Sequence, residues 1–549
     1  MLRKIRIVLA TIFFIGLSLL FLDVTGALHH YLGWMAKIQF VPAALALNFG
    51  IVAALLLLTL LFGRVYCSVI CPLGIMQDVI SWIHGKLPRL VAGKKWVNGT
   101  PYRFGFRRPL RWLRYGVLVV FIAVILLGAT SVAALIEPYS TFGRITTELL
   151  SPVYRGVNNL LALVSEHFES YAFYSADVWI KSLPTFVAAV AALLLVGFFA
   201  WKWGRGWCNS ICPVGALLGL VSRFSLFAPK IDTEKCRNCG LCARRCKAGC
   251  IDLAGGKRID YSRCVACFDC IDSCRAGALK YEFRYGKTGA GAKWNAPTGT
   301  PSAPSPAQEA SLMEKSQVPA QETPTKSQTP QDESRRAFMK ATALTVGAAA
   351  GAELLHPVET FAQNMKVDGG LITPPAKQAP RRDTPLRPAG ARSLKDFSTR
   401  CIACQLCVSA CPNGVLRPST DLATFMQPEM SYEKGYCRPE CTRCSSVCPA
   451  GAILPVSAEE KSSIQIGHAV VDYSLCVAAS EGVKCGNCAR HCPAGAIRLV
   501  KKDPENPDSP RIPSVDETRC IGCGACEYVC PANPLSAIHV EGHPVHKEI

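Results

Sequence analysis

Twenty-nine cysteines stand in this chain of 549 residues, and most recur at intervals of two or three residues. In a short secreted chain such a count would signal disulfides, but tight clusters of this kind read as thiolate ligands to metal centres. Cys236, Cys239, Cys242 and Cys246 spell C-x2-C-x2-C-x3-C; Cys264, Cys267, Cys270 and Cys274 repeat it, and Cys401, Cys404, Cys407 and Cys411 make a third copy. Cys437, Cys441, Cys444 and Cys448 carry one inserted residue, Cys476, Cys485, Cys488 and Cys492 a longer insertion, and Cys520, Cys523, Cys526 and Cys530 complete six. Three thiolates on a short loop wrap three irons of a cubane, while the fourth reaches the partner cluster of a two-cluster fold. The expected ligand sets are therefore crossed: Cys236, Cys239, Cys242 and Cys274; Cys264, Cys267, Cys270 and Cys246; Cys401, Cys404, Cys407 and Cys448; Cys437, Cys441, Cys444 and Cys411; Cys476, Cys485, Cys488 and Cys530; Cys520, Cys523, Cys526 and Cys492. Six [4Fe-4S] clusters would result. Structural zinc uses paired C-x2-4-C knuckles instead of a triple plus one, so it is the weaker reading. Pro412, Pro449, Pro493 and Pro531 follow the fourth cysteine as the bacterial pattern expects, whereas Lys247 and Arg275 replace that proline, which implies altered surroundings for two clusters. Cys250 is left over and reads as a small buried hydrophobe with no ligand role.

A second cysteine pattern lacks this spacing. YCSVICPLG at residues 66–74 recurs as WCNSICPVG at 207–215, each copy directly after a hydrophobic stretch. Cys67, Cys71, Cys208 and Cys212 admit three readings: a packing turn with inert thiols, a redox-active dithiol pair, or thiolates that bind or flank a metal centre. The third is preferred, because Cys236 follows Cys212 by only 24 residues. The repetition suggests a pseudo-twofold pair of helical hairpins.

Four stretches are long and apolar enough to carry these elements through a bilayer: 5–24, 39–62, 116–136 and 185–203. Residues 63–115 hold ten Lys or Arg against one acid, Asp78, and residues 137–184 hold three basic against five acidic residues. The first loop is therefore expected inside and the second outside, with Arg3, Lys4, Arg6, Lys202 and Arg205 also inside. The formal charge of +20 is explained first by this membrane orientation, so nucleic acid is not expected as a partner. The expected fold is a four-helix membrane domain (1–230) and α+β bacterial-type ferredoxin domains, one cytoplasmic with two clusters (231–286) and one extracytoplasmic with four (401–549). Residues 287–333 are poor in aliphatic side chains and read as a disordered linker, and 363–400 as a second linker. Between them, Ser334-Arg335-Arg336 with Phe338 and Lys340 opens a mildly apolar segment (334–362) that reads as an internal twin-arginine signal, with a fifth helix as an option.

No phosphate-binding loop, catalytic nucleophile or dinucleotide fingerprint stands out. His29 with His30, and Glu166 with His167, lie in the outward loops where quinol protons would be released, although exposed groups of this kind are usually just solvated. In its order, the first half resembles the NapH-type membrane quinol dehydrogenase subunits, and the second resembles the MauM/NapG-type ferredoxins. The resemblance implies a fusion of the two in a bacterial inner membrane, passing electrons from the membrane quinone pool to an extracytoplasmic reductase or cytochrome such as a periplasmic nitrate reductase system. Two other classes stay open: a polyferredoxin assembly or regulatory factor for a respiratory metalloenzyme, and inward electron flow to quinone.

Overall fold

A computed structural model describes residues 1–23, 26–91, 104–168, 173–175, 178, 181–285 and 376–549. The twin-arginine-like segment and the linker before it lie outside the described residues.

The first half is a helical bundle. Its principal helices are α1 (Leu2–Leu22), α2 (Phe49–Phe62), α3 (Pro72–Val91), α4 (Arg111–Leu126), α5 (Pro138–Ile145), α6 (Leu183–Trp203) and α7 (Pro213–Ser222). Gly63 (φ 73°) and Gly204 (φ 62°) end α2 and α6 in conformations that a side chain would resist. One short helix then carries each first cysteine, Val65–Val69 and Gly206–Ser210. Pro72 and Pro213 open α3 and α7 at a position where the missing N–H costs nothing. Each of these helices packs on the other repeat's long helix, α3 on α6 and α7 on α2, so the two halves are interleaved.

Among the described residues two helices, α1 and α6, are long and apolar enough to cross a membrane, rather than the four expected. Only 33% and 22% of their apolar windows are buried, and Ile5, Val8, Ile12, Ile15, Val187, Leu194 and Phe198 face outward. The other two expected spans are interrupted. In 39–62 the chain forms Phe40–Leu45, turns at Leu47 (φ 55°), and restarts as α2 with Asn48 accepting from Ile51 N. In 116–136, α4 stops at Leu126 because Gly128 (φ 79°) closes it in a left-handed cap, and Thr130–Ala134 follows. Both interruptions receive the second ferredoxin region: Gly451 lies against Ala46, and Thr130 Oγ1 donates to Cys401 O at 2.9 Å.

The cysteine-rich regions pack on opposite ends of this bundle. At the amino end of α1, Arg3 meets Asp269 at 2.8 Å and Asp272 at 3.1 Å. At its far end Gly26 lies against Arg443, and Phe21 against Gly143, whose own neighbour is Cys404 O. With 21 residues, α1 sets these ends about 30 Å apart. The inner module is closed by antiparallel strands Phe227–Ile231 and Leu279–Phe283. The outer region has three antiparallel pairs, the longest joining Ile464–Val471 to Ile538–Glu548.

Residues 376–400, expected as linker, are part of the outer fold. Lys377 Nζ caps the carbonyls of Glu527, Tyr528 and Cys530, Arg382 pairs with the buried Glu527, and Leu386 and Phe397 are core residues. The abundance of Pro and Arg there reflects a strap packed on the outer fold, with Arg382 and Arg400 in ion pairs and Arg387 buried, not a solvated tether.

Candidate functional site

The cysteine loops share a backbone signature. In four of them the second and fourth residues after the first cysteine both have positive φ: Asn238 and Gly240, Ala266 and Phe268, Ala403 and Gln405, Gly522 and Gly524. A side chain in this region costs on the order of 1–3 kcal/mol. The strain turns backbone N–H groups toward the cysteine sulfurs, as with Ala403 N on Cys401 Sγ at 3.5 Å.

The loops come together around cavities. One cavity is lined by Cys476, Cys485, Cys488 and Cys530, a second by Cys492, Cys520, Cys523 and Cys526, and a third by Cys246, Cys264, Cys267 and Cys270. Cys407 is within electrostatic reach of Cys401, Cys404, Cys448 and also Cys444, Cys444 of Cys437, Cys441 and Cys411, and Cys242 of Cys236 and Cys274. Among the described residues no three such side chains converge tightly enough for a single ion. Thiols spread around a cavity suit a cluster of several irons better than one zinc. Bound there, [4Fe-4S] clusters supply one-electron carriers.

Cys250 is not the isolated hydrophobe expected. Its sulfur lies 3.5 Å from Cys246 Sγ and also hydrogen-bonds with Cys264, so five thiols line that cavity. Lys247, standing where proline was expected, has a distinct task. Its carbonyl accepts from Arg205 N at 3.0 Å, and its ammonium reaches Asp269 at 3.1 Å and Asp78 at 3.7 Å. Proline could make neither ion pair.

Where inner module and bundle meet, the two C-x3-C-P elements are joined by exchanged arginines. Arg64, three residues before Cys67, donates to Cys208 O at 3.2 Å; Arg205, three before Cys208, donates to Cys67 O at 2.6 Å. Both are fully buried, so these are not orientation charges at a lipid surface. The motif glycines make the exchange possible. A Cβ on Gly74 would come 2.4 Å from both Cys67 O and Arg205 Nη1, and one on Gly215 would come 2.3 Å from Cys208 O and 2.7 Å from Arg64 Nη2. Asp78 anchors the junction, accepting from Arg205 at 2.9 and 2.8 Å and from Arg6 of α1.

His29 Nδ1 is tied to Asp23 at 3.2 Å, His30 packs on Tyr31, and Glu166 and His167 are exposed at a helix end. A different group lies beside the Cys404 loop. Glu137 N-caps α5 by accepting from Ser140 N, while Ser140 Oγ donates to Ile402 O at 2.6 Å. Burial pushes the Glu137 carboxyl up to about 7 against the pull of those backbone N–H groups. The buried Tyr139 hydroxyl and Arg144 Nε have no hydrogen-bond partner. The signal available in sequence was Glu137-Pro138, an acidic cap with proline at the first helical position.

Comparison with known proteins gives the same division. A 4Fe-4S binding domain family model matches residues 45–90 and 183–233, one copy on each C-x3-C-P element, and a 4Fe-4S dicluster domain model matches 400–478 and 483–533. The methylamine utilization ferredoxin-type protein MauM of Methylobacillus flagellatus is 34% identical over 27% of this chain and 64% of its own length. The ferredoxin-type protein NapG of Haemophilus influenzae is 30% identical over 36% of this chain and 67% of its own. YccM of Escherichia coli is 26% identical over 37% of this chain and 47% of its own. The chain thus spans about half to two thirds of the length of these relatives. No solved structure matches.

Proposed function

Starting from a chain that belongs to the ferredoxin-type 4Fe-4S electron-transport proteins of the MauM and NapG kind, we propose that it takes electrons from a quinol in the bilayer and passes them outward. The path runs through clusters held by residues 401–530 to an extracytoplasmic acceptor such as a periplasmic nitrate reductase system. The observation that carries this reading is the seating of the Cys401–Cys407 loop on the outer end of the bundle, against Thr130, Ser140 and Gly143. A quinol oxidised in the membrane yields two electrons and two protons, so a buried base next to a one-electron carrier is the needed pairing. Glu137 fits the base, with Tyr139 and Arg144 beside it as groups able to orient a quinol oxygen.

Membrane embedding is supported by the outward apolar faces of α1 and α6, which a soluble core helix would bury. Export of the outer region is supported by the separation of the two cysteine-rich regions on the bundle, one held by Arg3 to Asp269 and the other by Thr130 to Cys401.

The test is anaerobic mixing of the full-length protein with a menaquinol analogue, followed through cluster absorbance. Reduction within turnover times, slowed at least tenfold by Glu137→Gln, supports the outward reading. Reduction that fails with all clusters intact removes quinol as donor.

A further inference from the structure

The fourth residue after the last cysteine of a ferredoxin motif is small and apolar in four of the six copies: Ala278, Val415, Ala452 and Ala496, each of them buried. In the first copy that place is taken by Cys250, which is buried as deeply. Alanine or valine suffices for packing there, so what cysteine adds is an S–H group.

That thiol sits among ligand sulfurs. It lies 3.5 Å from Cys246 Sγ and also within hydrogen-bond reach of Cys264. Both belong to the quartet, with Cys267 and Cys270, that lines this cavity. The rest of the wall is apolar, with Pro229, Ile251, Ile259, Val265 and Phe268 among its members. Cys250 is thus the one described lining side chain outside the quartet with a polar hydrogen to donate. Its backbone is pinned on both sides: Arg205 N donates to Lys247 O at 3.0 Å, Asn209 Nδ2 to Ala248 O at 3.1 Å, Arg107 N to Gly249 O at 3.3 Å, and Asp260 N to Cys250 O at 2.8 Å. A third thiolate between Cys246 and Cys264 would face two like charges with no cation in the cavity wall, so this sulfur keeps its hydrogen.

We propose that Cys250 donates a hydrogen bond to the ligand sulfurs of the cluster held by Cys246, Cys264, Cys267 and Cys270, and thereby raises that cluster's reduction potential above what an apolar residue would give. The reduced cluster carries one more negative charge than the oxidised one, and the ligand sulfurs share it, so a donor stabilises the reduced form more. In an apolar wall, water does not screen the effect. The cluster concerned is the one on the bundle side of the module. Ser262 O, two residues before Cys264, accepts from Arg64 at 3.2 Å and from Arg114 at 2.8 Å, whereas Cys236 of the other quartet is half-buried and Cys239 exposed. Cys250 biases an electron in the inner module toward the bundle, whichever way the chain carries it.

The experiment is a reductive titration of anaerobically purified full-length protein, followed by electron paramagnetic resonance, on the wild type, Cys250→Ala and Cys250→Ser, with iron determined for each. Alanine is native to three sister copies, so the fold should accept it. In Cys250→Ala one component should shift to lower potential by about tenfold in its reduction equilibrium, about 59 mV for a one-electron couple, with the other components and the iron content unchanged. Serine keeps a donor and should restore most of the shift. Electron–nuclear double resonance should show one exchangeable-proton coupling on that component in the wild type that disappears in Cys250→Ala. If no component moves in Cys250→Ala, or if Cys250→Ser shifts as far, the proposal is overturned. Loss of about four irons in Cys250→Ala would also overturn it, by making Cys250 a ligand instead of a donor. Wild-type iron well below about 24 would refute the cluster reading on which the proposal rests, and the proposal with it.

Discussion

Replacing Asp78 with asparagine should detach the inner module from the bundle. Asp78 is the shared acceptor for Arg205 and Arg6, and Lys247 of the inner module lies 3.7 Å from it. Arg205 is fully buried and Arg6 nearly so, so neither can turn to water when the carboxylate is lost. Breaking one side of such a buried group costs about 3–5 kcal/mol, and the amide oxygen retains one hydrogen bond, which places the expected value near the lower bound, about 3 kcal/mol. Three neighbouring cations hold the Asp78 carboxyl well below the usual carboxylate range. A depressed carboxylate contributes stability that is present above its unfolded value and lost only as pH falls toward the folded one. The junction should therefore be insensitive to pH between 5 and 8 in the wild type, and its weakening in Asp78→Asn should be equal across that window. Hydrogen exchange at the Cys246–Gly249 backbone reads the opening: about 3 kcal/mol is roughly a hundredfold faster exchange there, with little change in the outer region. Adding Arg205→Gln should recover part of the loss, because it removes one stranded charge. Exchange altered less than fivefold by Asp78→Asn would refute the idea that this carboxylate holds bundle and module together.

Three further outcomes follow from the same contacts. Gly215→Ala should displace the Arg64 exchange, since its Cβ meets backbone at 2.3 Å, and cost about 2–4 kcal/mol; Gly156→Ala, with open space around it, should cost less than about 0.5. Thermal unfolding in matched micelles checks both. Glu137, raised to about 7 in the fold, contributes stability that is complete below its unfolded value near 4.5 and is lost as pH rises through 7, up to about 3 kcal/mol. Glu137→Gln should flatten that slope between pH 5 and 8, and an unchanged slope would place the titration elsewhere. A reporter after residue 286 should score cytoplasmic and one after Ile549 extracytoplasmic, with Arg335→Lys plus Arg336→Lys abolishing the second; two cytoplasmic scores would end the export reading.

Spacing alone encodes which thiols share a loop, and three cavities are lined by cysteines from two loops each. The pseudo-twofold repeat is legible too, but it begins three residues before Tyr66 and Trp207. Gly63-Arg64 and Gly204-Arg205 belong to it, and the arginines exchanged between the halves are its most informative members. Charge counting takes them only as markers of the cytoplasmic side, because composition carries no information on burial. The breaks at Asn48 and Gly128 escaped hydropathy, which averages over a capping residue inside an apolar run. The strap at 376–400 was mistaken for linker because its partners, such as Glu527, lie about 150 residues away. A longer separation still, 262 residues, hides the contact between Ser140 and the Cys401–Cys407 loop, and with it the interest of Glu137.

The most direct test of the central claim follows electrons into the outer clusters themselves. Cys404→Ser should impair the cluster loop seated on α5 while leaving the inner module and the two clusters of residues 476–530 in place. In stopped-flow mixing with a menaquinol analogue, the wild type should reduce the outer clusters, and Cys404→Ser should leave those of residues 476–530 oxidised, because their entry point is gone. Reduction of those distal clusters at the wild-type rate in Cys404→Ser would contradict entry through this loop.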